Sequence, residues 1–320
     1  MRLTRRCLTR FAAWQLSLRR TVPLLAALSA CHTNDNSSTG VDTIRALSDV
    51  TTLGAFTAPT LVEASGAVTS SLTSNVYWAQ NDSGNEPELF AFDSSGKSLG
   101  IARVRGAVNT DWEAIAIGPC PQGSCVYIGD VGDNHARRPY VVIYRVPEPA
   151  AGDTVTGAVD SIRVQYPDGP RDVEAMWVGI DSTIWLLSKR PLFAPGGVLR
   201  HAQLYRVPAS TWHAVGAQVA EHVDSLPIIP RVTDDRTWIT DASLSARDSG
   251  GARRLAVRTY ERVFIFATDP RDGRPRALLH VCAIDVLRER QGEGVTWMRD
   301  GRLLFDSEGA SAPLHAGRCP

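Results

Sequence analysis

One short acidic frame recurs along this chain and constrains its fold more than any other feature. It is clearest as Asp-Trp-Glu-Ala at 111–114 and Asp-Val-Glu-Ala at 172–175, with looser copies near residues 65, 241 and 293. When the copies are aligned, an oxygen-bearing side chain occupies one column and a Gly or Ala follows it. The column consists of Ser65, Glu113, Glu174, Asp241 and Glu293.

The segments between the copies read as short strands and turns rather than helices. Each copy is followed by β-rich runs separated by turn sequences such as Asn-Asp-Ser-Gly at 81–84. A repeated unit of about four strands is typical of the blades of a β-propeller. The sequence therefore predicts an all-β fold, a five-bladed β-propeller of four-stranded antiparallel blades, over residues 43–320.

The last copy is one strand short. After Glu293 the chain has room for only three strands, whereas residues 50–56 form a β-rich run that precedes the first copy. We expect this N-terminal strand to complete the last blade, because pairing the two ends of the chain closes the ring and removes two open sheet edges.

The N-terminus has the features of an export signal. Several arginines precede an apolar run at 22–30, which is too short to span a bilayer, and Leu-Ser-Ala-Cys at 28–31 resembles a bacterial lipobox. We interpret residues 1–30 as a lipoprotein signal peptide and residues 31–42 as the lipidated Cys31 followed by a flexible tether. The alternative is ordinary cleavage after Ala30. The lipoprotein interpretation predicts an exported protein attached to a membrane of the cell envelope through Cys31.

Four cysteines remain in the propeller. Exported proteins meet an oxidising environment, so an even number of cysteines favours disulfides, and the absence of clustered histidines argues against a metal site. Cys120 and Cys125 flank a short turn and should bond to each other, which leaves Cys282 to pair with Cys319.

The overall charge excludes one class of partner. The chain has 34 basic and 34 acidic residues and a formal net charge of zero. A balanced charge does not support binding to the phosphate backbone of a nucleic acid. We expect a monomer without a nucleic-acid partner.

The aligned column predicts a metal site. The first strand of each propeller blade lines the central channel, so the column residues should face one axis. Four carboxylates in a narrow channel need protons or a cation to compensate their charge, and hard oxygen ligands suit Ca²⁺. The alternative is that these carboxylates accept hydrogen bonds from backbone N–H groups of the neighbouring blade. We therefore predict Ca²⁺ as the cofactor, with Ser65, Glu113, Glu174, Asp241 and Glu293 as ligands.

Five blades, each inner strand headed by an acidic or hydroxyl residue, resemble the soluble calcium-activated nucleotidases, or apyrases. Segments 127–132, 185–190 and 255–258 are also similar to second-strand ends in that family. The resemblance covers residues 50–320 and implies a Ca²⁺ in the central tunnel, held in that family by a ring in the order Ser, Glu, Glu, Ser, Glu. This chain departs from the order at Asp241. It resembles equally the exported bacterial propellers that include phytase-like and esterase-like domains.

The ends of the second strands should rim the same mouth of the channel. Lys189, Arg190 and Arg258 could bind a phosphate or carboxylate there. Four acidic residues could orient a water or a second cation, although each also suits a hairpin turn. These catalytic candidates are Asp82, Asp130, Asp133 and Glu308.

Two functions from different classes fit these features. The first is an envelope propeller with a calcium site that binds a small anionic ligand or a partner at the charged mouth. The alternative is a calcium-dependent hydrolase of phosphoesters, such as nucleotides. A sugar lyase or glycosidase is a weaker third hypothesis, because the sequence indicates no carboxylate pair at the required separation.

Overall fold

Five antiparallel-dominated sheets form the fold, as shown by a computed structural model that describes residues 43–320. The signal peptide, Cys31 and the tether proposed from the sequence lie outside the described residues. Within the described part, the helical elements are the short 3₁₀ turns Ala209–His213, Asp235–Thr237 and Asp285–Leu287. No helix in residues 43–320 is long and apolar enough to cross a membrane.

The first three blades follow one another along the chain. The first comprises β3 (Ala64–Thr69), β4 (Tyr77–Asn81), β5 (Glu88–Phe92) and β6 (Ser98–Arg103). The second comprises β7 (Trp112–Cys120), β8 (Gly123–Asp130), β9 (Val141–Pro147) and β10 (Asp160–Gln165). The third comprises β11 (Val173–Val178), β12 (Ile184–Ser188), β13 (Ala202–Val207) and β15 (Glu221–Leu226).

The last two blades include the N-terminal strands. The fourth comprises β16 (Ile239–Leu244), β17 (Arg254–Thr259), β18 (Arg262–Thr268) and β19 (Pro275–Ala283). The fifth comprises β20 (Gly292–Trp297), β21 (Leu303–Ser307), β22 (Pro313–Arg318) and β2 (Ser48–Ala55). Two short parallel strands widen two sheets beyond the predicted four strands: β14 (Ala217–Val219) joins β10, and β1 (Arg45–Ala46) joins β19. The predicted five-bladed propeller is confirmed.

The ring closes through the N-terminal segment, as the sequence predicts. Strand β2 pairs antiparallel with β22, so that it forms the outer strand of the blade that contains Glu293. The same segment also contacts the first blade, where the amide of Ala55 donates to the carbonyl of Ser95 at 3.1 Å. Strand β2 thus pairs with the fifth blade and contacts the first, so it closes the ring where the first and last blades meet.

The hydrophobic core is divided among the interfaces between blades. Five clusters of buried side chains each draw residues from two neighbouring blades, and together they cover all five interfaces of the ring. Tryptophans fill several of them: Trp177 and Trp185 stack at 6.3 Å between the third and fourth blades. Each blade therefore buries both faces only when both neighbours are present.

Both predicted disulfides are present. Cys120–Cys125 closes the β7–β8 hairpin, with 5.8 Å between the Cα atoms. Cys282–Cys319 ties β19 of the fourth blade to the C-terminal end of the fifth, with 5.7 Å between the Cα atoms. Two disulfides are typical of proteins from an oxidising compartment outside the cytosol.

The contact between the closing strand and the first blade leaves no room for a side chain at Gly54. A Cβ at this position would overlap the backbone oxygen of Ser95. We expect Gly54→Ala to lower the free energy of unfolding by about 1–3 kcal/mol, measured by urea denaturation, because two backbone segments would have to separate.

Gly152→Ala is the matched control, since a Cβ at Gly152 meets nothing within 4 Å. We expect it to leave the stability unchanged. Equal stabilities for the two variants would mean that the seam between β2 and the first blade tolerates separation.

Candidate functional site

A β-bulge interrupts each inner strand at the level of the predicted column. In the second blade the register passes from Trp112 opposite Asp130 to Ala114 opposite Gly129, which leaves Glu113 outside the ladder. Glu174 is left out in the same way in the third blade. In the first and fifth blades the pairing register of the inner strand also shifts, at Ser65 and at Glu293. Bulges re-aim side chains, and Glu113, Glu174 and Glu293 all line the cavity at this end of the channel.

The fourth blade departs from the predicted column. Its register shift lies between Ile239 and Asp241, so Thr240 is the extra residue and Asp241 is paired in the ladder opposite Arg258. The residue equivalent to Glu113 and Glu174 is therefore Thr240, one position before the residue that sequence alignment selects. By strand register the column is Ser65, Glu113, Glu174, Thr240 and Glu293.

Asp241 adopts the hydrogen-bonded alternative considered for the column. Its side chain has 0% exposure, and its two oxygens accept hydrogen bonds from the backbone amides of Ala242 at 2.7 Å and Val295 at 2.8 Å. Val295 belongs to the neighbouring blade, so Asp241 links two inner strands. Burial raises the pKa of Asp241 well above its usual range.

The buried ammonium of Lys189 lies among the column carboxylates. It forms an ion pair with Glu174 and lies 5.7 Å from the centre of the Tyr260 ring. Although burial alone lowers the pKa of Lys189, the charges of Glu174 and its neighbours raise it overall. The protein itself therefore supplies one positive charge to the axis of the channel, where the sequence predicts a cation.

The other column carboxylates are held by hydrogen bonds. The hydroxyl of Ser65 donates to Glu113 Oε2 at 2.6 Å, and that of Tyr260 donates to Glu293 Oε1 at 3.0 Å. Burial raises the pKa of Glu113 well above its usual range, and the charge of Glu174 raises it further. One ammonium does not balance three buried carboxylates, so a further cation or protons must complete the compensation.

A cavity of about 650 Å³ opens above these residues at this mouth of the channel. Glu113, Glu174 and Glu293 line its floor together with Lys189. Its rim carries both signs of charge and two aromatic rings. The rim includes Asp82, Glu308, Arg190, Arg236, Arg288, Arg290, Trp238 and Tyr260. The volume suits a small-molecule ligand.

Of the three cations predicted at the mouth, Lys189 and Arg190 line the cavity and Arg258 does not. Arg190 lines the cavity, forms an ion pair with Asp172 and stacks on the Trp238 ring at 4.4 Å. Arg258, by contrast, has 0% exposure and lies beneath the mouth. Both of its terminal nitrogens are engaged within the protein: the guanidinium pairs with Glu289 and donates to the carbonyls of Gly294 at 2.5 Å and Asp306 at 3.0 Å. The rim position predicted for Arg258 is corrected accordingly, while Lys189 and Arg190 face the cavity.

The four acidic catalytic candidates also separate into two pairs. Asp82 and Glu308 line the cavity. Asp130 is buried and pairs with Arg138 at 2.7 Å, and Asp133 accepts hydrogen bonds from the amides of residues 137 and 138 at 2.9 and 2.8 Å. Asp130 and Asp133 therefore hold the loop after β8, which agrees with the turn alternative for both.

One acidic residue of the site was missed from the sequence. Asp111 lies beside Asp82 and Glu113, and ligand oxygens of the three carboxylates lie within 4.8 Å of one another. Burial, followed by the charge of Asp82, raises the pKa of Asp111 to about 6. Asp111 directly precedes β7, and the same Asp-x-Glu spacing recurs at Asp172 and Glu174, so the repeat itself could have identified it.

Backbone contacts bring this cluster together. The side-chain amide of Asn109 donates to the carbonyl of Asp82 at 2.7 Å, and its oxygen accepts from the amide of Trp112 at 3.1 Å. Asp130 accepts from the amide of Asp111 at 3.1 Å. The loop after β4 and the start of β7 are thus fixed against each other, which places carboxylates from two blades side by side.

Glu308 has a different electrostatic character. It is half-buried, and burial together with the charges of Glu293 and Asp82 raises its pKa to about 7. Gln291 donates to its Oε1 at 2.7 Å. A carboxyl group that exchanges its proton near neutral pH, at the edge of a cavity, is suited to general acid–base chemistry.

No family model and no curated protein matches the chain. Among solved structures it is similar to a glucose dehydrogenase, at 8% identity over 85% of this chain and 99% of that one, with a TM-score of 0.46. It is similar to the apo-form of the soluble aldose sugar dehydrogenase from Escherichia coli, at 9% identity over 85% and 99% of the two chains, with a TM-score of 0.43. It is also similar to the GH43_1 enzyme from Xanthomonas citri complexed with xylose, at 10% identity over 85% and 90%, with a TM-score of 0.46.

The raised pKa of Asp111 predicts a pH-dependent contribution to stability. A carboxyl whose pKa is higher in the folded than in the unfolded protein stabilises the fold below its unfolded pKa, and this contribution is lost as the pH rises through its folded pKa. With a chelator present, Asp111→Asn should therefore gain stability relative to the unaltered protein between its ordinary pKa of 3.8 and about 6. Urea denaturation at several pH values measures the difference.

Glu86→Gln serves as the control, since Glu86 is an exposed residue in a surface ion pair with Arg103. We expect its stability to follow that of the unaltered protein across the same pH window. A difference between Asp111→Asn and the unaltered protein that stays constant with pH would contradict the raised pKa.

Proposed function

We propose that this chain is an envelope β-propeller that binds Ca²⁺ at one mouth of its channel and uses the metal to bind a small anionic ligand. The observation that carries the proposal is the carboxylate cluster of Asp82, Asp111 and Glu113, whose oxygens lie within 4.8 Å of one another at the edge of a cavity. Three hard oxygen donors from two blades, with room for water, match the ligand preference of Ca²⁺.

The cluster suits the cation better than the axis of the channel does. The ammonium of Lys189 already pairs with Glu174 on the axis, and a second cation there would be repelled by it. The surroundings of the cluster are mainly negative instead. The charges of Asp82 and Asp172 raise the pKa of Asp111, and Arg138, which pairs with Asp130, offsets them in part. Glu113 belongs to both groups, and a Ca²⁺ beside it would offset the repulsion between Glu113 and Glu174.

The anionic ligand is proposed from the charges on the rim. Within residues 43–320, Arg288 and Arg290 form no ion pair, and both line the cavity with Arg190. A phosphate or carboxylate that reaches the bound Ca²⁺ could accept hydrogen bonds from these guanidinium groups. Trp238 and Tyr260 offer aromatic surface for the body of such a ligand.

Attachment to the envelope is part of the proposal. The support comes from the lipobox-like sequence at 28–31 and from the two disulfides, which suit an oxidising compartment. Lipidated Cys31 and the tether would hold the propeller close to a membrane.

Calcium binding is tested by thermal unfolding and by isothermal titration with CaCl₂. We expect Ca²⁺ to raise the melting temperature and a chelator to lower it, because a ligand that binds only the folded state stabilises that state. Asp111→Asn should weaken Ca²⁺ binding by about tenfold or more, a loss of about 1.4 kcal/mol. Glu293→Gln is the matched control, since Glu293 lines the same cavity but lies outside the cluster, and we expect it to bind Ca²⁺ with nearly unchanged affinity.

The opposite result for these two variants would place the Ca²⁺ at a different site. If Glu293→Gln loses Ca²⁺ and Asp111→Asn retains it, the ion lies on the axis and Lys189 must leave Glu174 to admit it. If Ca²⁺ changes neither the melting temperature nor the heat of titration, the calcium proposal is wrong.

A second candidate function is a calcium-dependent phosphoester hydrolase. Two observations favour it: the pKa of Glu308 near 7, and the column order Ser, Glu, Glu, Thr, Glu, which is similar to that of the calcium-activated nucleotidases once Thr240 replaces Asp241. In this case Ca²⁺ would sit on the axis and polarise the phosphoryl group, and Glu308 would position or deprotonate water.

Hydrolysis is tested by release of phosphate from nucleoside di- and triphosphates and from phytate, with Ca²⁺ or with a chelator. An enzyme should show calcium-dependent turnover with a limb in its pH–rate profile near the pKa of Glu308, about 7. Glu308→Gln should remove that limb and most of the rate, while Ca²⁺ binding persists. Absence of turnover on every substrate, with Ca²⁺ bound, would leave the binding function.

A further inference from the structure

A second cavity opens at the opposite end of the central channel. Its volume is about 830 Å³, and residues toward the C-terminal ends of all five inner strands line it. The contributing residues include Thr69, Ile117, Val178, Leu244 and Trp297. Because the inner strands run in one direction, this cavity lies at the end away from the carboxylate column.

One part of the wall of this cavity is apolar. Ile115, Val178 and Leu244 line it beside the indole of Trp297. The Trp297 ring is held by a hydrogen bond from its Nε1 to the carbonyl of Ser243 at 3.1 Å. Ile180, at 38% exposure, extends the apolar surface to solvent. An apolar surface that is open to solvent favours the apolar body of a ligand.

The rim of the same cavity is strongly basic. It carries Arg247, Arg253, Arg254 and Arg299, and none of these forms an ion pair within residues 43–320. The one carboxylate in the lining belongs to Asp248. Its Oδ1 accepts hydrogen bonds from the amides of Gly250 and Ala252, both at 2.9 Å, so it is engaged within its own turn.

Arg253 is the most constrained of these cations. It is half-buried, and its Nε is a buried donor without a hydrogen-bond partner. Burial lowers the pKa of Arg253, and the nearby charge of Arg247 lowers it further. An unpaired buried donor and two adjacent like charges are both unfavourable, and one anion placed between the guanidinium groups would relieve both.

Nearby acidic groups are already occupied. Glu148 accepts hydrogen bonds from the hydroxyls of Ser71 at 2.7 Å and Ser124 at 2.8 Å. Asp49 pairs with Arg318 at 3.2 Å. The positive charge of the rim is therefore left for a ligand, and the two mouths of the channel differ in sign, since carboxylates predominate at the other.

We propose that this mouth binds an anionic amphiphile, a molecule with one carboxylate-like head and an apolar body. The head accepts hydrogen bonds from Arg247 and Arg253, and the body lies along Leu244, Val178 and Trp297. The cavity volume of about 830 Å³ lies within the usual range of small-molecule pockets. This site is separate from the calcium cluster and does not depend on it.

The proposal is tested by isothermal titration of the protein with decanoate, decanol and acetate, each below its aggregation concentration and with a chelator present. Decanoate should bind at least about tenfold more tightly than either of the others, because only decanoate has both the head and the body. Equal binding of decanol would exclude the arginines, and equal binding of acetate would exclude the apolar wall; either result overturns the proposal.

The double variant Arg247→Gln/Arg253→Gln should weaken decanoate binding by about tenfold or more and leave decanol binding unchanged. The matched control is Arg163→Gln/Arg206→Gln, which removes two positive charges from strands β10 and β13, away from both mouths. Thermal unfolding checks that both proteins are folded. Wild-type affinity in the first variant, or equal losses in the two, would overturn the assignment to this rim.

Discussion

Closure of the ring by β2 is the interaction on which the rest of the structure depends. Each of the five hydrophobic clusters lies between two neighbouring blades, so no blade has a complete core alone. The fifth blade obtains its fourth strand only when the N-terminal segment returns to β22. The bridge between Cys282 and Cys319 and the pairing of β1 with β19 strengthen the same region. Closure also brings inner strands from five distant segments to one axis, which creates the channel.

Closure of the ring brings like charges together in the channel, and the bulges add to this repulsion. Because the bulges take Glu113, Glu174 and Glu293 out of their ladders, three buried carboxylates lie together in the channel. The buried ammonium of Lys189 solves part of the problem on the axis. Away from the axis, Asp111 and Asp82 add two further carboxylates beside Glu113, and within residues 43–320 no ammonium pairs with these three. A divalent cation is therefore proposed at this cluster rather than on the axis of the channel.

The two ends of one channel thus present different chemistry. One mouth combines carboxylates, an ammonium and several arginine side chains around a polar cavity, which suits a metal ion and an anion bound to it. The other joins an apolar wall to unpaired arginines, which suits an anion with an apolar body. The difference arises because the starts of the inner strands carry the bulged polar column, whereas their ends carry aliphatic residues and Trp297.

The sequence by itself determined the repeat, the blade number, the closing strand and both disulfides, because these depend on local alternation and on counting strands and cysteines. It also identified Glu113, Glu174, Glu293, Lys189 and Arg190 as residues of one mouth. Only the tertiary structure decided that Thr240 replaces Asp241 in the column, that Arg258 is buried, and that Asp111 joins Asp82. A bulge shifts the register by one residue without a mark in the sequence, and contacts between blades depend on distances that no single strand contains.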